Sequence, residues 1–218
     1  MTENQFKTTL AHQPAVRAVI FDADGVTVNP PENFSAIYAR RIGVDPADFK
    51  PFFGGPFKMA LTGKVDLESV IKQEPVWQWG DKSHDDFKGL MHDWCESEHY
   101  PNESLIQYIR AMSARGLATY LATNQEHNRL DFLKKEMFPG VFSGGFLASC
   151  EVGYTKDQPE FWSYALEVIR TQIPDVSPEE VVYLDDDQRF VDVASSVGIR
   201  AMIYRDVDQV RELVEREE

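Results

Sequence analysis

The chain has 218 residues, of which 22 are Lys or Arg and 36 are Asp or Glu, giving a formal charge of −14 at pH 7. Such a surface repels nucleic acid and anionic membranes, so a polyanionic macromolecule is excluded as the expected partner. With 43% hydrophobic and 27% charged residues, and no low-complexity tract or repeat, the composition is that of a globular protein long enough for one core with an insertion. Small phosphates are repelled as well, so any phosphate site here must carry its own local positive charge.

In chain order, Met1 to Val16 is polar and lacks the apolar segment of a signal peptide. No apolar run approaches the roughly 20 residues that span a bilayer, and the expected location is cytoplasmic. Val16 to Phe21 reads as a buried strand that ends abruptly in Asp22-Ala23-Asp24-Gly25. Pro30 and Pro31 break regularity, and from Asn33 to about Tyr100 the pattern becomes helical. Stretches at Ser35 to Arg41, Val65 to Gln73 and Ser83 to Glu96 are separated by breaks such as Gly54-Gly55-Pro56. Beyond Pro101-Asn102, Leu105, Ile106, Ile109 and Met112 share one face of a helix that Gly116 stops. Leu117 to Ala122 is the next strand. A polar helix from Glu126 to Lys135, a strand near Val141 to Ala148 and a helix from Gln158 to Arg170 follow. Val181 to Leu184 is a further strand, and a helix to Val197, a strand at Arg200 to Tyr204 and a charged last helix complete the pattern. Strands alternating with helices predict an α/β fold, a parallel sheet covered on both faces. The expected division is a core of residues 1–28 and 101–218, with residues 29–100 forming a helical cap. Cys95 and Cys150 form no disulfide framework or metal pair by spacing and read as two buried thiols.

Three strands end in polar residues: Asp22 and Asp24, Thr123 and Asn124, and Asp185 through Asp187. Ligands of open parallel sheets bind beyond the strand C-termini, where these groups converge if the strands are neighbours. Asp22 and Asp24 lie two apart, which in extended geometry puts both side chains on one side. Two close carboxylates need a cation or a proton between them; alone, the pair also reads as a solvated turn. Asp185 to Asp187 suits hard cations such as magnesium, although one of the three is expected to cap the next helix. Thr123 is either a helix cap or a phosphoryl contact. Lys156, by itself a surface lysine, lies where it could bring positive charge to the same crevice.

Taken together, these elements resemble the haloacid dehalogenase superfamily. Phe21-Asp22-Ala23-Asp24-Gly25-Val26, Leu121-Ala122-Thr123-Asn124, Lys156 with Pro159-Glu160-Phe161, and Leu184-Asp185-Asp186 are similar to its four motifs, in order. The resemblance implies a three-layer α/β/α core with a cap inserted after the first motif. It implies Asp22 as the nucleophile that forms an aspartyl-phosphate and Asp24 as the general acid and base. Mg2+ would sit between the Asp22 carboxylate, the Asp24 backbone carbonyl and Asp186, chosen over Asp185 by analogy with relatives that carry Gly-Asp there. Thr123, Asn124 and Lys156 would hold the transferring phosphoryl group.

The chain departs from the pattern in two places. Phe190 stands where relatives often have a second Asp or Asn, leaving Asp187 as a substitute, and Asp157 follows Lys156 where a Pro is frequent and could pair with it. Asp24 argues for a phosphate ester, because a halide leaving group needs no proton. The expected activity is a phosphatase acting on a small phosphorylated metabolite, a sugar phosphate first. A phosphomutase or a catalytically silent binder on the same scaffold are the alternatives. Within the cap, Phe52 and Phe53, Lys58, Trp77 and Trp79 are candidates to touch the leaving group, although packing of the small helical unit is the favoured reading for each aromatic. His84, His92 and His99 read as surface residues.

Overall fold

The structure, a computed structural model, describes residues 14–77 and 86–215. Five strands form one all-parallel sheet: β1 (Ala18–Asp22), β2 (Ala118–Thr123), β3 (Gly145–Ala148), β4 (Val181–Asp185) and β5 (Arg200–Ile203), in the order β3-β2-β1-β4-β5. The chain builds outward from β1 through β2 to β3, then returns to the other side of β1. That reversal opens a crevice beyond the C-terminal ends of the central strands.

Alternate residues of the strands feed two separate cores. Val19, Phe21, Leu121, Val182 and Leu184 face α6 (Glu103–Ala114) and α11 (Val207–Glu215). Ala18, Ile20, Tyr120 and Tyr183 face α9 (Pro159–Gln172) and α10 (Gln188–Ser196). Period-two alternation with both faces buried is what the near-continuous apolar strands require. The result is the expected three-layer α/β/α arrangement. Each fully buried Leu or Phe in these layers contributes roughly 1.5–3 kcal/mol.

The helices between β1 and α6 pack on a third cluster of their own. They are α1 (Phe34–Ile42), a 3-10 turn at Pro46–Phe49, α2 (Lys50–Gly54), α3 (Pro56–Leu61), α4 (Leu67–Gln73) and α5 (Phe87–Ser97). Phe34, Tyr38, Phe49, Phe52, Trp77 and Trp94 form its aromatic centre. Helix α4 starts two residues later than the apolar pattern suggests, and carboxylates cap α4 and α5. Asp66 accepts from the Ser69 N–H at 3.0 Å, and Asp86 from the Gly89 N–H at 2.7 Å. The expected helix start at Ser83 lies outside the described residues. The two segments joining this unit to the sheet run side by side: the Asn29 N–H donates to the Tyr100 carbonyl at 2.8 Å, and the Asn102 N–H to that of Thr27 at 2.9 Å.

In the remainder, α7 (His127–Phe132) runs into a π turn at Leu133–Met137, and a short helix α8 (Ser149–Val152) follows β3. β3 is shorter than expected because Val141 and Phe142 turn into the first core instead of pairing. Both cysteines are free and buried. Among the described residues, no helix is long and apolar enough to cross a membrane.

Candidate active site

The sheet register brings the polar strand ends together. Asp22 closes the central strand opposite Ala122, and Phe21 lies opposite Leu184, so Thr123 and Asp185 stand one step beyond on either side. Just past Asp22 the chain leaves extended geometry. The Thr27 and Val28 N–H groups both donate to the Ala23 carbonyl, at 2.9 and 2.8 Å, winding Ala23 to Val28 into a tight turn. Strand alternation therefore does not place Asp24 beside Asp22 as expected; this turn brings both to one cavity of about 470 Å³ with Thr123, Asn124, Lys156 and Asp186.

Lys156 is the centre of the charge arrangement. Its loop is pinned on both sides, by Trp162 Nε1 donating to its carbonyl at 2.8 Å and by its own N–H donating to Asn124 Oδ1 at 2.9 Å. The side chain is 2% exposed, and its Nζ lies 2.5 Å from Asp22 Oδ1 and 2.8 Å from Asp185 Oδ2. Phe190, the departure from the family pattern, sets its ring 4.6 Å from this ammonium and covers it. Asp157 does not pair with Lys156; it accepts from the Thr155 hydroxyl instead. Burial works against the ammonium, but the charges of Asp22 and Asp185 hold it above the usual lysine value. Burial also pushes the Asp22 carboxyl up to about 8, opposed by Lys156 and reinforced by the charge of Asp185.

The three consecutive aspartates divide the work. Asp185 is fully buried and accepts from Lys156, from the Tyr183 hydroxyl and from the Asp187 N–H at 2.7 Å. Asp187 caps α10 through the Arg189 N–H at 2.9 Å and pairs with the Arg189 guanidinium at 2.5 Å, which occupies its carboxylate at the rim of the crevice. Asp186 and Asp187 both line the cavity, and Asp186, free of the Arg189 pairing, has its carboxyl pushed up chiefly by burial and next by the charge of Asp185. Asp22, Asp185 and Asp186 each offer an oxygen within 4.8 Å of the others. Three carboxylates against one ammonium leave an excess of negative charge on hard oxygen donors, which suits Mg2+. Because Asp185 is committed, Asp186 and the Asp22 oxygen turned from Lys156 are the donors left for it. Gly25 makes room for this: with φ +89° it takes a left-handed turn, and a Cβ there would meet Asp186 Oδ2 at 2.2 Å.

Thr123 does not cap α7; Glu126 does, accepting from the Asn128 and Arg129 N–H groups at 2.7 and 2.6 Å. Asp24 is turned toward residues that the motifs did not single out. Gln125 Nε2 donates to its Oδ2 at 2.7 Å, and Arg129 Nη2 to its Oδ1 at 3.1 Å. Arg129 is 4% exposed, and its other end donates to Glu98, at the close of α5. Glu98 also accepts from the Phe34 N–H at 2.8 Å and from Trp94 Nε1 at 3.2 Å, tying α1, α5 and α7 to Asp24. Above these residues lies a second cavity of about 560 Å³, lined from the helical unit by Phe53, Phe57 and Trp94. Of the expected contacts in that unit, Phe53 reaches this cavity, Phe52 and Trp77 are buried in the aromatic cluster, Lys58 is outside its lining, and Trp79 lies outside the described residues. His92 and His99 are exposed; His84 lies outside the described residues.

The site is thus an acidic cluster and a buried lysine beyond the central strands of a parallel α/β core. A family profile described as haloacid dehalogenase-like hydrolase matches residues 16–198, and the chain belongs to that family. Among solved structures, a HAD family enzyme from Bacteroides thetaiotaomicron, in complex with magnesium and inorganic phosphate, superposes with a TM-score of 0.71 at 17% identity, covering 90% of this chain and 99% of that one. A predicted HAD-like family hydrolase from Porphyromonas gingivalis gives 0.68 at 20% identity over 94% and 98%. Bifunctional epoxide hydrolase 2 of Rattus norvegicus is 24% identical over 220 residues, which is 91% of this chain and 38% of that protein.

Proposed function

We propose that the chain is a Mg2+-dependent phosphatase that hydrolyses a small phosphorylated metabolite, a sugar phosphate first among them, through an aspartyl-phosphate on Asp22. The observation that carries this reading is the pairing of Asp22 with Lys156 at 2.5 Å beside Asp186, with a second aspartate, Asp24, on the same cavity. Asp22 Oδ1 is fixed by Lys156 and by the Ala23 N–H at 2.7 Å, which orients the carboxylate and leaves its other oxygen toward the cavity. That carboxylate attacks phosphorus, and the bond from phosphorus to the ester oxygen breaks. Asp24, whose side chain is 55% exposed, turns from Arg129 and Gln125 to give its proton to the departing alcohol. It then takes a proton from the water that cleaves the acyl phosphate and regenerates Asp22.

Thr123, Asn124 and Lys156 are assigned to the phosphoryl oxygens, whose charge spreads in the transition state. Asp22, the Asp24 carbonyl and Asp186 would hold Mg2+, which when bound supplies positive charge beside the transferring group. A proton donor at Asp24 favours phosphate esters over carbon–halogen bonds. Phosphate release from sugar phosphates and an activated aryl phosphate, with magnesium and with chelator, tests the proposal. Asp22→Asn should abolish turnover while the chain still folds; activity retained by this variant would refute the nucleophile assignment.

A further inference from the structure

Resting on the phosphatase reading, we infer that the alcohol released from the ester is uncharged and carries an apolar or ring face, so that carboxylated and doubly phosphorylated substrates are rejected. The 560 Å³ cavity beside Asp24 is lined by two unlike kinds of group. On the helical unit, the Phe57 and Trp94 rings lie 6.1 Å apart at 24°, with Phe53 edge-on to both at 5.2 and 6.1 Å. This is a continuous apolar surface whose half-buried members, Phe53 and Phe57, keep area free for a ligand. The same lining carries neutral hydrogen-bonding groups: Asn29, Asn33, Ser35 and Gln125. Asn33 occupies the N-cap of α1 yet makes no side-chain bond to that helix, so its amide remains for a hydroxyl of the ligand.

The charges of the cavity argue against an anion there. Among its described lining residues the cation is Arg129, against the carboxylates of Asp24, Glu98, Glu126 and Asp186. Both terminal nitrogens of Arg129 are taken, one by Asp24 and the other by Glu98. A carboxylate or second phosphate on the leaving group would enter an acidic cavity without a free counter-ion, inside a chain of charge −14. An uncharged ring with hydroxyls finds both apolar surface and neutral hydrogen-bonding groups in this lining.

Benzyl phosphate and 4-carboxybenzyl phosphate form a test pair, since their alcohols differ in charge and hardly in basicity. With magnesium, kcat/KM should be at least about tenfold lower for the carboxylate, a gap that narrows as salt screens it. Phe57→Leu should lower kcat/KM for benzyl phosphate about fivefold. Equal rates, a preference for the carboxylate, or an unaltered Phe57→Leu would overturn the inference. The two free alcohols, benzyl alcohol and 4-(hydroxymethyl)benzoate, separate this from the reaction itself. Titrated against the full chain and read from the Trp94 indole N–H resonance, the neutral alcohol should bind at least about tenfold tighter. No phosphate release from either ester would sink the phosphatase reading, while the alcohol titration would still decide the character of the cavity.

Discussion

Removing the charge of Lys156 isolates what that side chain does for the folded state. Lys156→Met keeps most of the stem but leaves Asp22 and Asp185 buried without the ammonium that now lies 2.5 and 2.8 Å from them. Breaking a buried pair from one side costs about 3–5 kcal/mol, which for a chain of this size lowers Tm by roughly 6–20 °C. The sign of the pH dependence follows from Asp22. Its carboxyl is already raised to about 8 with the lysine in place, so the folded state holds a proton there that the unfolded chain has lost. The stability this proton supplies is complete below the ordinary carboxylate value and drains as pH rises toward 8. The variant should therefore be most damaged at pH 8 in chelator and recover in part at pH 5.5, or on adding Mg2+. Thermal unfolding of both proteins under the three conditions is the assay. An unchanged Tm at pH 8 in chelator would refute the view of Lys156 as a compensating buried cation. A loss of equal size at both pH values would assign the effect to packing.

Other consequences of the same geometry can be measured separately. Mg2+ binding to the wild-type chain should displace the Asp22 proton, so apparent affinity should rise by up to about tenfold per pH unit between pH 5 and 8 and flatten above; calorimetry in buffers of different ionisation enthalpy would count the proton released. Gly25→Ala places a Cβ 2.2 Å from Asp186 Oδ2 at φ +89°. It should cost roughly 1–2 kcal/mol from the left-handed backbone alone and weaken Mg2+ at least about tenfold, measured by thermal melts and metal titration. Asp24→Asn should slow poor leaving groups by about 10²–10⁴ and an activated aryl phosphate far less; equal losses would remove Asp24 from the acid role.

The core was legible in the sequence because its signals are local. Short apolar runs of the length of β1, β2 and β4 suit strands buried on both faces, and each ends in a polar residue at the crevice. The helix face of Leu105, Ile106, Ile109 and Met112 lies in the first core as its spacing predicts. Asp22, Asp24, Thr123, Asn124, Lys156 and Asp186 share a cavity because motifs at strand ends are brought together by strand order, which the alternation of elements constrains. The residues that escaped notice depend on contacts distant in sequence. Arg129 reaches Asp24 across 105 positions and Glu98 across 31; its local signal was only its position three after Glu126, the helix cap. Phe57 and Trp94 belong to a helical unit dense in aromatics, where composition cannot separate a ring that lines the cavity from one, such as Trp77, that fills the interior.

The acidic composition and the site are connected through the way cations are spent. A chain of charge −14 needs local positive charge to accept a phosphate, and Lys156 reads as that charge when only sequence is considered. In the folded chain its ammonium is shared between Asp22 and Asp185, and Arg129 is likewise divided between Asp24 and Glu98. Neither pairing leaves net positive charge in the crevice for a dianionic ester, although Lys156 still lines the cavity to which the phosphoryl oxygens are assigned. What these pairs supply is position: Lys156 fixes which oxygen of Asp22 points away, and Arg129 holds Asp24 against the segment that joins the helical unit to the sheet. Once Asp22 gives up its proton the surplus at the crevice is negative, on Asp22 and Asp186, and a divalent cation there would reverse it where the proposed phosphoryl group would lie. The proposed metal dependence would thus follow from charge arithmetic among the chain's own side chains, with the lysine orienting the proposed nucleophile, Asp22, that the cation would let an anion approach.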